Sequence, residues 1–406
     1  MSDPIVVVGA GQAAASFITR HLALASPQPL LLIGEESYPP YQRPPLSKKY
    51  LMGELEMDRL FIRPMDWYAE QSVSTRFDTR VTQIDRAARQ LLTDSGDSIA
   101  YDKLLLCTGS SARRLPAEQG GELEGVFTLR SIVDIERILP SFQSGKKLLI
   151  VGGGYIGLEA AAVARKLGLE VTLLEMAERI LQRVASAETS GYFRRMHSGH
   201  GVDLRESVRM RRLLETSGRV TGAELESGEI IEADLVLVGI GGQANSQLAE
   251  AAGLECDNGI AVNQQCQSSD ANIFAAGDCC SFIRNGQRIR LESVQNASDQ
   301  GDLVARVLAG EDKSYDALPW FWSDQYDCKL QIVGLNQGHT QAVERRGEDP
   351  ASLSIWYYTN DRLIAIDAMN DAKAYAFGRK IIEAGKHPTP AQIADPATDL
   401  KAIAKS

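Results

Sequence analysis

The chain has 406 residues, 44% of them hydrophobic and 24% charged, a folded composition with room for two to four domains that excludes extended disorder. Its 43 Lys and Arg stand against 53 Asp and Glu, a net charge of −10, which excludes a general nucleic-acid binder because phosphate backbones are held by positive charge. It contains no apolar run of roughly 18 residues, so no membrane-spanning helix and no membrane partner is expected.

In chain order, the apolar start Met1–Ala15 lacks a basic leader region and holds a G-x-G-x-x-A turn, so it reads as a first β-strand and not as a signal peptide. Ile5–Val8 is a short β-branched run, followed by Gly9-Ala10-Gly11-Gln12-Ala13-Ala14, a helical stretch to about Ala25, and a second apolar run, Leu30–Ile33, ending at Gly34-Glu35. The same unit recurs. Leu148–Val151 leads into Gly152-Gly153-Gly154-Tyr155-Ile156-Gly157, a helix to about Leu167, the strand Val171–Leu174 and Glu175. Continuous apolar runs of this kind are strands buried on both faces of a parallel sheet. Lys103–Cys107, Leu235–Ile240 and Ile273–Ala276 read the same way. Val81–Ile84 with Gln90–Thr93, and Leu225–Ile231 around Glu226-Ser227-Gly228, look like antiparallel insertions. From Pro319 the composition turns aromatic (Trp320, Phe321, Trp322, Tyr326). A hairpin follows, Leu353–Tyr358 and Leu363–Asp367 around Asn360-Asp361, and then helices near Ala372–Ala384 and Pro390–Ala404.

Each Gly turn has a physical reading. Gly9 permits the tight turn, Gly11 lets the backbone approach a pyrophosphate, and Ala14 lets the helix sit close to the strand; the helix N-terminus adds its partial positive charge. Glu35, 26 residues after Gly9, is placed to hold ribose hydroxyls. In the second turn Gly152, Gly154 and Gly157 take these places, and Glu175 is the acid. A carboxylate there accepts from the adenosine hydroxyls and repels a 2′-phosphate, which favours NADH over NADPH. A third signal separates a flavin nucleotide from a second nicotinamide: the strand before Gly277-Asp278 brings an Asp able to accept from the ribityl chain of FAD. Leu106-Cys107-Thr108-Gly109 is a companion strand ending in a Gly turn.

Five stretches then carry a family likeness: Tyr41-Gln42-Arg43-Pro44-Pro45-Leu46-Ser47-Lys48, the Gly-Gly-Gly-Tyr-Ile-Gly-Leu-Glu run at 152–159, Ile273–Asp278, Glu292-Ser293-Val294, and Pro319-Trp320-Phe321-Trp322-Ser323-Asp324-Gln325. Over nearly its whole length the chain resembles the two-dinucleotide disulfide-reductase superfamily. Within it, the chain is most similar to the NADH-dependent ferredoxin reductases that serve bacterial haem monooxygenases and ring-hydroxylating dioxygenases. The resemblance implies an α/β fold with two Rossmann-like dinucleotide-binding domains and a C-terminal α+β domain. Residues 1–110 and 242–318 would bind FAD, 111–241 would bind NADH, and 319–406 would cover the flavin. It implies FAD contacts for Ala13, Glu35, Arg43, Lys48, Val81, Arg130, Asp278 and Val294, and NADH contacts for Ile156, Glu175 and Gly241. Lys48 would lie beside the flavin N5 with Glu159 as its charge partner, and Trp322 would stand where the electron acceptor docks. That acceptor is expected to be an acidic [2Fe–2S] ferredoxin, and the enzyme a monomer or weak dimer. An NADH oxidase or quinone reductase on the same fold, and a slow-turnover redox sensor, are the alternatives.

The six cysteines show no metal-ligand or C-x-x-C spacing, and none precedes Cys107. The expectation is a reduced, cytoplasmic protein with no thiol relay, in which electrons leave the flavin directly. His197-x-x-His200 reads as a solvated, Arg-rich face and not as a metal site. Arg205–Arg212 reads as solvated surface, and Arg284–Arg290 is a candidate steering patch for the ferredoxin.

Overall fold

The computed structural model describes residues 3–26, 28–347 and 349–405. The chain divides into two units. One holds residues up to Arg43, Leu55–Ser111 and Gly242–Ala317; the other holds Pro44–Glu54, Ala112–Gly241 and the residues from Leu318 onward.

The first unit is built on a five-stranded parallel sheet in the order Ile273–Ala275, Lys103–Leu106, Ile5–Val8, Leu30–Ile33, Ser74–Arg76. Val8 pairs with Ile33 on one side and Leu106 on the other. Every residue of Ile5–Val8 is buried, and each such aliphatic side chain contributes about 1.5–3 kcal/mol by leaving water. The helix Gln12–Ala23 lies against Val294–Leu308. The approach is close enough that a Cβ on Gly301 would stand 2.3 Å from the Ala13 backbone carbonyl oxygen, so glycine is required at 301. Val81–Asp85, Gln90–Thr93 and Ser98–Ala100 form the antiparallel insertion.

The second unit repeats this plan. Its parallel sheet runs Asp203–Glu206, Glu170–Glu175, Lys147–Val151, Leu235–Val238, Val126–Phe127, with Met210–Thr216, Arg219–Leu225 and Ile230–Glu232 as its antiparallel insertion. A five-stranded antiparallel sheet follows in the order Trp320–Gln325, Cys328–Gly334, Arg362–Met369, Leu353–Thr359, Gln341–Arg346, with the helix Ala372–Glu383 packed on it. The fold is therefore the expected one, two Rossmann-like sheets and a C-terminal α+β region.

Two local expectations are corrected. The helix expected over Pro390–Ala404 is broken into Pro390–Ala394 and Leu400–Lys405. Pro396 lacks the N–H a helix needs and holds Asp395 in extended backbone (φ −79°, ψ 111°). The buried Arg345 guanidinium takes up the carbonyls left at the break, donating to Ile393, Asp395, Pro396 and Thr398. The second correction is His197. Thr189, Phe193 and His197 recur every four residues along Ala187–Gly199 and form its buried face. His197 is thus buried and only His200 is exposed.

Candidate active site

The first turn sits at the C-terminal end of the central strand. Gly9 has φ +104°, and a Cβ there would stand 2.2 Å from the Cys107 carbonyl oxygen, so only glycine fits. Gly11 differs: a Cβ there meets nothing within 4 Å. It is the N-cap of Gln12–Ala23 and offers no side-chain cap. Ser131, Ser186, Ser293, Asp371 and Thr389, by contrast, each cap their helices with a side-chain oxygen. An uncapped helix start facing open space suits a pyrophosphate, which supplies the missing acceptors.

The other first-unit candidates surround or support this turn. Gly277 (φ +87°) would bring a Cβ to 3.4 Å from those of Ala13 and Ala297, and its N–H donates to Gln300. Ser110 donates to Asp278 at 3.0 Å. Thr108 and Gly109 are pinned to Asn245, whose side-chain amide donates to the Thr108 carbonyl and whose N–H donates to that of Gly109. Arg43 pairs with Glu36 at 2.7 Å and lies over the Tyr41 ring. Burial opposes its charge, but Tyr41, Glu36 and Asp278 outweigh that and hold the guanidinium above its ordinary range. Glu35 is exposed and ion-paired with Arg80 at 2.9 Å. Val81 belongs to the buried core with Val8 and Ile33. Val294 opens the helix Val294–Leu308.

The second turn repeats the geometry. At Gly152 (φ +112°) a Cβ would be 2.4 Å from the Gly239 carbonyl oxygen, and at Gly157 it would be 2.2 Å from that of Gly152; over Gly154 nothing lies within 4 Å. Gly154 is again an N-cap without a side-chain bond. The acid is wired differently: Glu175 accepts from the Gly153 and Ala177 N–H groups, both at 2.7 Å. Ile156 is 42% exposed on the first helical turn, which leaves it free to meet a ligand. Gly241 (φ +106°) lies beside the exposed Arg183 guanidinium, a cation that no motif had marked.

One helical turn beyond Ile156, Glu159 is buried. Its carboxylate pairs with Lys48 at 2.7 Å and accepts from Ser47 at 2.5 Å and Ser323 at 2.6 Å. Lys48 is therefore no surface lysine; its side chain is 16% exposed. Ser47 and Ser323 were missed by sequence reasoning, although both lie inside quoted stretches. The signal was the period of two in Trp320–Gln325, which sends Ser323 and Gln325 to the buried face and leaves Trp322 on the other. Trp322 stacks on Trp320 with ring centroids 5.5 Å apart. Tyr155 packs on Phe321 at 5.0 Å. Arg130 falls in the second unit, where its N–H joins Asp134 at the start of a helix.

Two further sequence readings have structural addresses. Arg284 donates to the Ala317 carbonyl, Arg288 to that of Ser281, and Arg290 to Glu292, so their charge is engaged within the first unit. The cysteines are free; all are buried except the half-buried Cys256, and burial raises the Cys107, Cys266, Cys279 and Cys280 thiols, which makes them poor nucleophiles. Among the described residues no helix is long and apolar enough to cross a membrane.

Comparison with known proteins agrees with this geometry. Residues 3–301 match the pyridine nucleotide-disulphide oxidoreductase family, and 320–404 match the reductase C-terminal domain. Rhodocoxin reductase of Rhodococcus erythropolis is 39% identical, over 99% of this chain and 94% of its own. The ferredoxin reductase for the CYP199A2 system from Rhodopseudomonas palustris superposes with TM-score 0.96 at 41% identity, over 99% of this chain and 100% of that one. The reductase of the covalent putidaredoxin reductase–putidaredoxin complex superposes with TM-score 0.95 at 36% identity, over 99% and 98% of the two chains. A family that uses FAD and a nicotinamide nucleotide fits two open, uncapped Gly turns. The chain is a member of the pyridine nucleotide-disulphide oxidoreductase family and carries that family's reductase C-terminal domain.

Proposed function

We propose that the protein is an NADH-dependent, FAD-containing reductase that passes electrons to a [2Fe–2S] ferredoxin serving a bacterial monooxygenase or dioxygenase. The observation that carries this reading is the pairing of two ligand-ready Gly turns with buried, raised thiols. A chain with two dinucleotide sites and no reactive thiol has no disulfide to reduce, so its electrons must go to an external carrier. The likeness to rhodocoxin reductase and to putidaredoxin reductase, over 94% and 98% of their chains, supports the same kind of acceptor.

In this reading residues 1–110 with 242–318 hold FAD, residues 111–241 hold NADH, and residues 319–406 form the third domain. Gly9, Gly11, Ala13 and Ala14 form the FAD pyrophosphate cradle, and Asp278 accepts from the ribityl chain. Thr108, Gly109 and Gly277 shape the walls, and Glu35, Arg43, Val81, Arg130 and Val294 complete the contacts. Gly152, Gly154, Ile156, Gly157 and Gly241 receive NADH, with Arg183 at its phosphates. Glu175 faces the adenosine ribose. NADH is favoured over NADPH because Arg179, the nearest arginine after Glu175, is turned inward onto Ala185, Ser186 and Ser190, leaving a carboxylate where a 2′-phosphate would lie. Bound flavin supplies the conversion of a hydride into single electrons. The protein supplies orientation: Glu159 holds the Lys48 ammonium at the hydride-transfer site, and Trp322 lines the exit to the carrier. With its thiols reduced, the enzyme works in the cytoplasm, as a monomer or weak dimer.

The test is steady-state NADH oxidation with a [2Fe–2S] ferredoxin and cytochrome c as final acceptor, with no-ferredoxin and NADPH controls. Strong ferredoxin-dependent turnover with NADH is expected. Bound FAD with slow turnover, whatever ferredoxin is supplied, would point instead to an oxidase or a redox sensor.

A further inference from the structure

The Glu159 carboxylate has a supporting chain that runs deep into the second unit. Ser323 donates to Glu159 at 2.6 Å, Gln325 Nε2 meets Ser323 Oγ at 3.1 Å, and Gln325 Oε1 meets His197 Nε2 at 2.8 Å. Relative exposure is 4% at Glu159, 1% at Gln325, and 0% at Ser323 and His197, so water does not compete for these bonds.

The direction of the chain follows from its ends. Burial holds His197 down at about 4, so the ring is neutral near pH 7 and carries one proton. Its Nδ1 is buried with no partner. A bare lone pair is tolerated there better than an orphaned N–H, so the proton sits on Nε2 and is donated to Gln325 Oε1. The Gln325 amide must then turn its NH₂ toward Ser323. With its oxygen already accepting, the Ser323 hydroxyl is left to donate to Glu159, a charge-assisted bond.

We propose that His197, Gln325 and Ser323 form a one-way hydrogen-bond relay that fixes the orientation of Glu159 and, through it, the place of the Lys48 ammonium. Ser323 is a positioning residue for hydride transfer. This rests on the role given above to Lys48, but the relay can be read without turnover.

The experiment uses the oxidised holoenzyme. Acetylation of Lys48 by acetic anhydride, followed by peptide mass spectrometry, reports how firmly the ammonium is held. Rapid-mixing reduction by NADH separates the limiting rate from the NADH Kd. Ser323→Ala should raise the Lys48 acetylation rate roughly tenfold and lower the limiting rate by a similar factor, the scale of one lost bond to a charged group, with the Kd within about twofold. Gln325→Glu should act in the same direction although the hydroxyl remains, because a carboxylate at 325 draws the Ser323 proton away from Glu159. Ser323→Thr, which keeps the hydroxyl, should restore both readouts. Thermal melting identifies any variant that fails to fold; if Ser323→Ala does, Gln325→Glu carries the comparison, and unchanged Lys48 acetylation in that folded variant likewise overturns the relay. Unchanged Lys48 acetylation in folded Ser323→Ala overturns the relay. A wild-type enzyme that NADH does not reduce, but whose Lys48 is exposed to acetylation by Ser323→Ala, overturns the reductase reading and leaves the relay standing.

Discussion

The two Gly turns look alike in sequence and are wired differently in space. In both, the first glycine has positive φ and abuts a neighbouring carbonyl, while the glycine at the helix start faces open space. The acids diverge. Glu35 is exposed and paired with Arg80, whereas Glu175 is bound back onto its own turn through the N–H groups of Gly153 and Ala177. The shared part is what any pyrophosphate needs from a backbone. The divergent part is how each acid is held, by an arginine side chain at Glu35 and by backbone N–H groups at Glu175.

The comparison breaks hardest at the glycines that touch protein. Gly9→Ala and Gly152→Ala combine an unfavourable φ with a carbonyl clash, so each should cost on the order of 4 kcal/mol in denaturant unfolding. A loss under about 1 kcal/mol in either would show that its turn can relax and that its shape is not dictated by that contact.

The second unit also carries two buried groups that titrate in opposite senses. Burial lowers His197 to about 4 from 6.5. As pH falls through that range only the unfolded chain gains the proton, and stability is lost. Burial raises Asp367, which accepts from Tyr357 and Thr189, to about 6 from 3.8. Here the folded chain gains the proton first, and stability is lost as pH rises through the same range. In the wild type the two largely cancel. Between pH 7 and pH 4, His197→Gln should gain on the order of 3 kcal/mol relative to wild type, and Asp367→Asn should lose about as much. Parallel urea titrations at the two pH values check both signs.

The glycines that face space sharpen the assignment of ligands. Gly154→Val should leave melting unchanged and the protein yellow while raising the NADH Kd roughly a hundredfold; Gly11→Val should give a folded but colourless protein. If Gly154→Val bleaches the protein instead, the two turns have been assigned the wrong way round. The smallest effect is expected at the second acid. Glu175→Gln keeps an acceptor and removes the charge, so the preference for NADH over NADPH should fall by about tenfold, read from kcat/KM with each nucleotide.

Local chain chemistry alone determined much of this protein. Unbroken β-branched runs announce parallel strands because such strands are covered on both faces, and the glycine spacings announce phosphate-binding turns because only a bare backbone can make them. The five quoted stretches went further and identified the family. Other features belong to the tertiary structure. The spacing of Thr189, Phe193 and His197 puts them on one helix face, but that this face is buried and that a glutamine 128 residues away meets the ring is decided by the tertiary structure. Pro396 could be seen to threaten a helix, but the arginine that accommodates the break comes from a distant strand. Glu159 was legible as a partner for Lys48, while the two hydroxyls that hold it come from residues 112 and 164 positions away. Backbone geometry is written locally, in steric terms each residue carries with it. Hydrogen-bond direction and charge placement depend on which side chains long-range folding brings within 3 Å, and that no local pattern encodes.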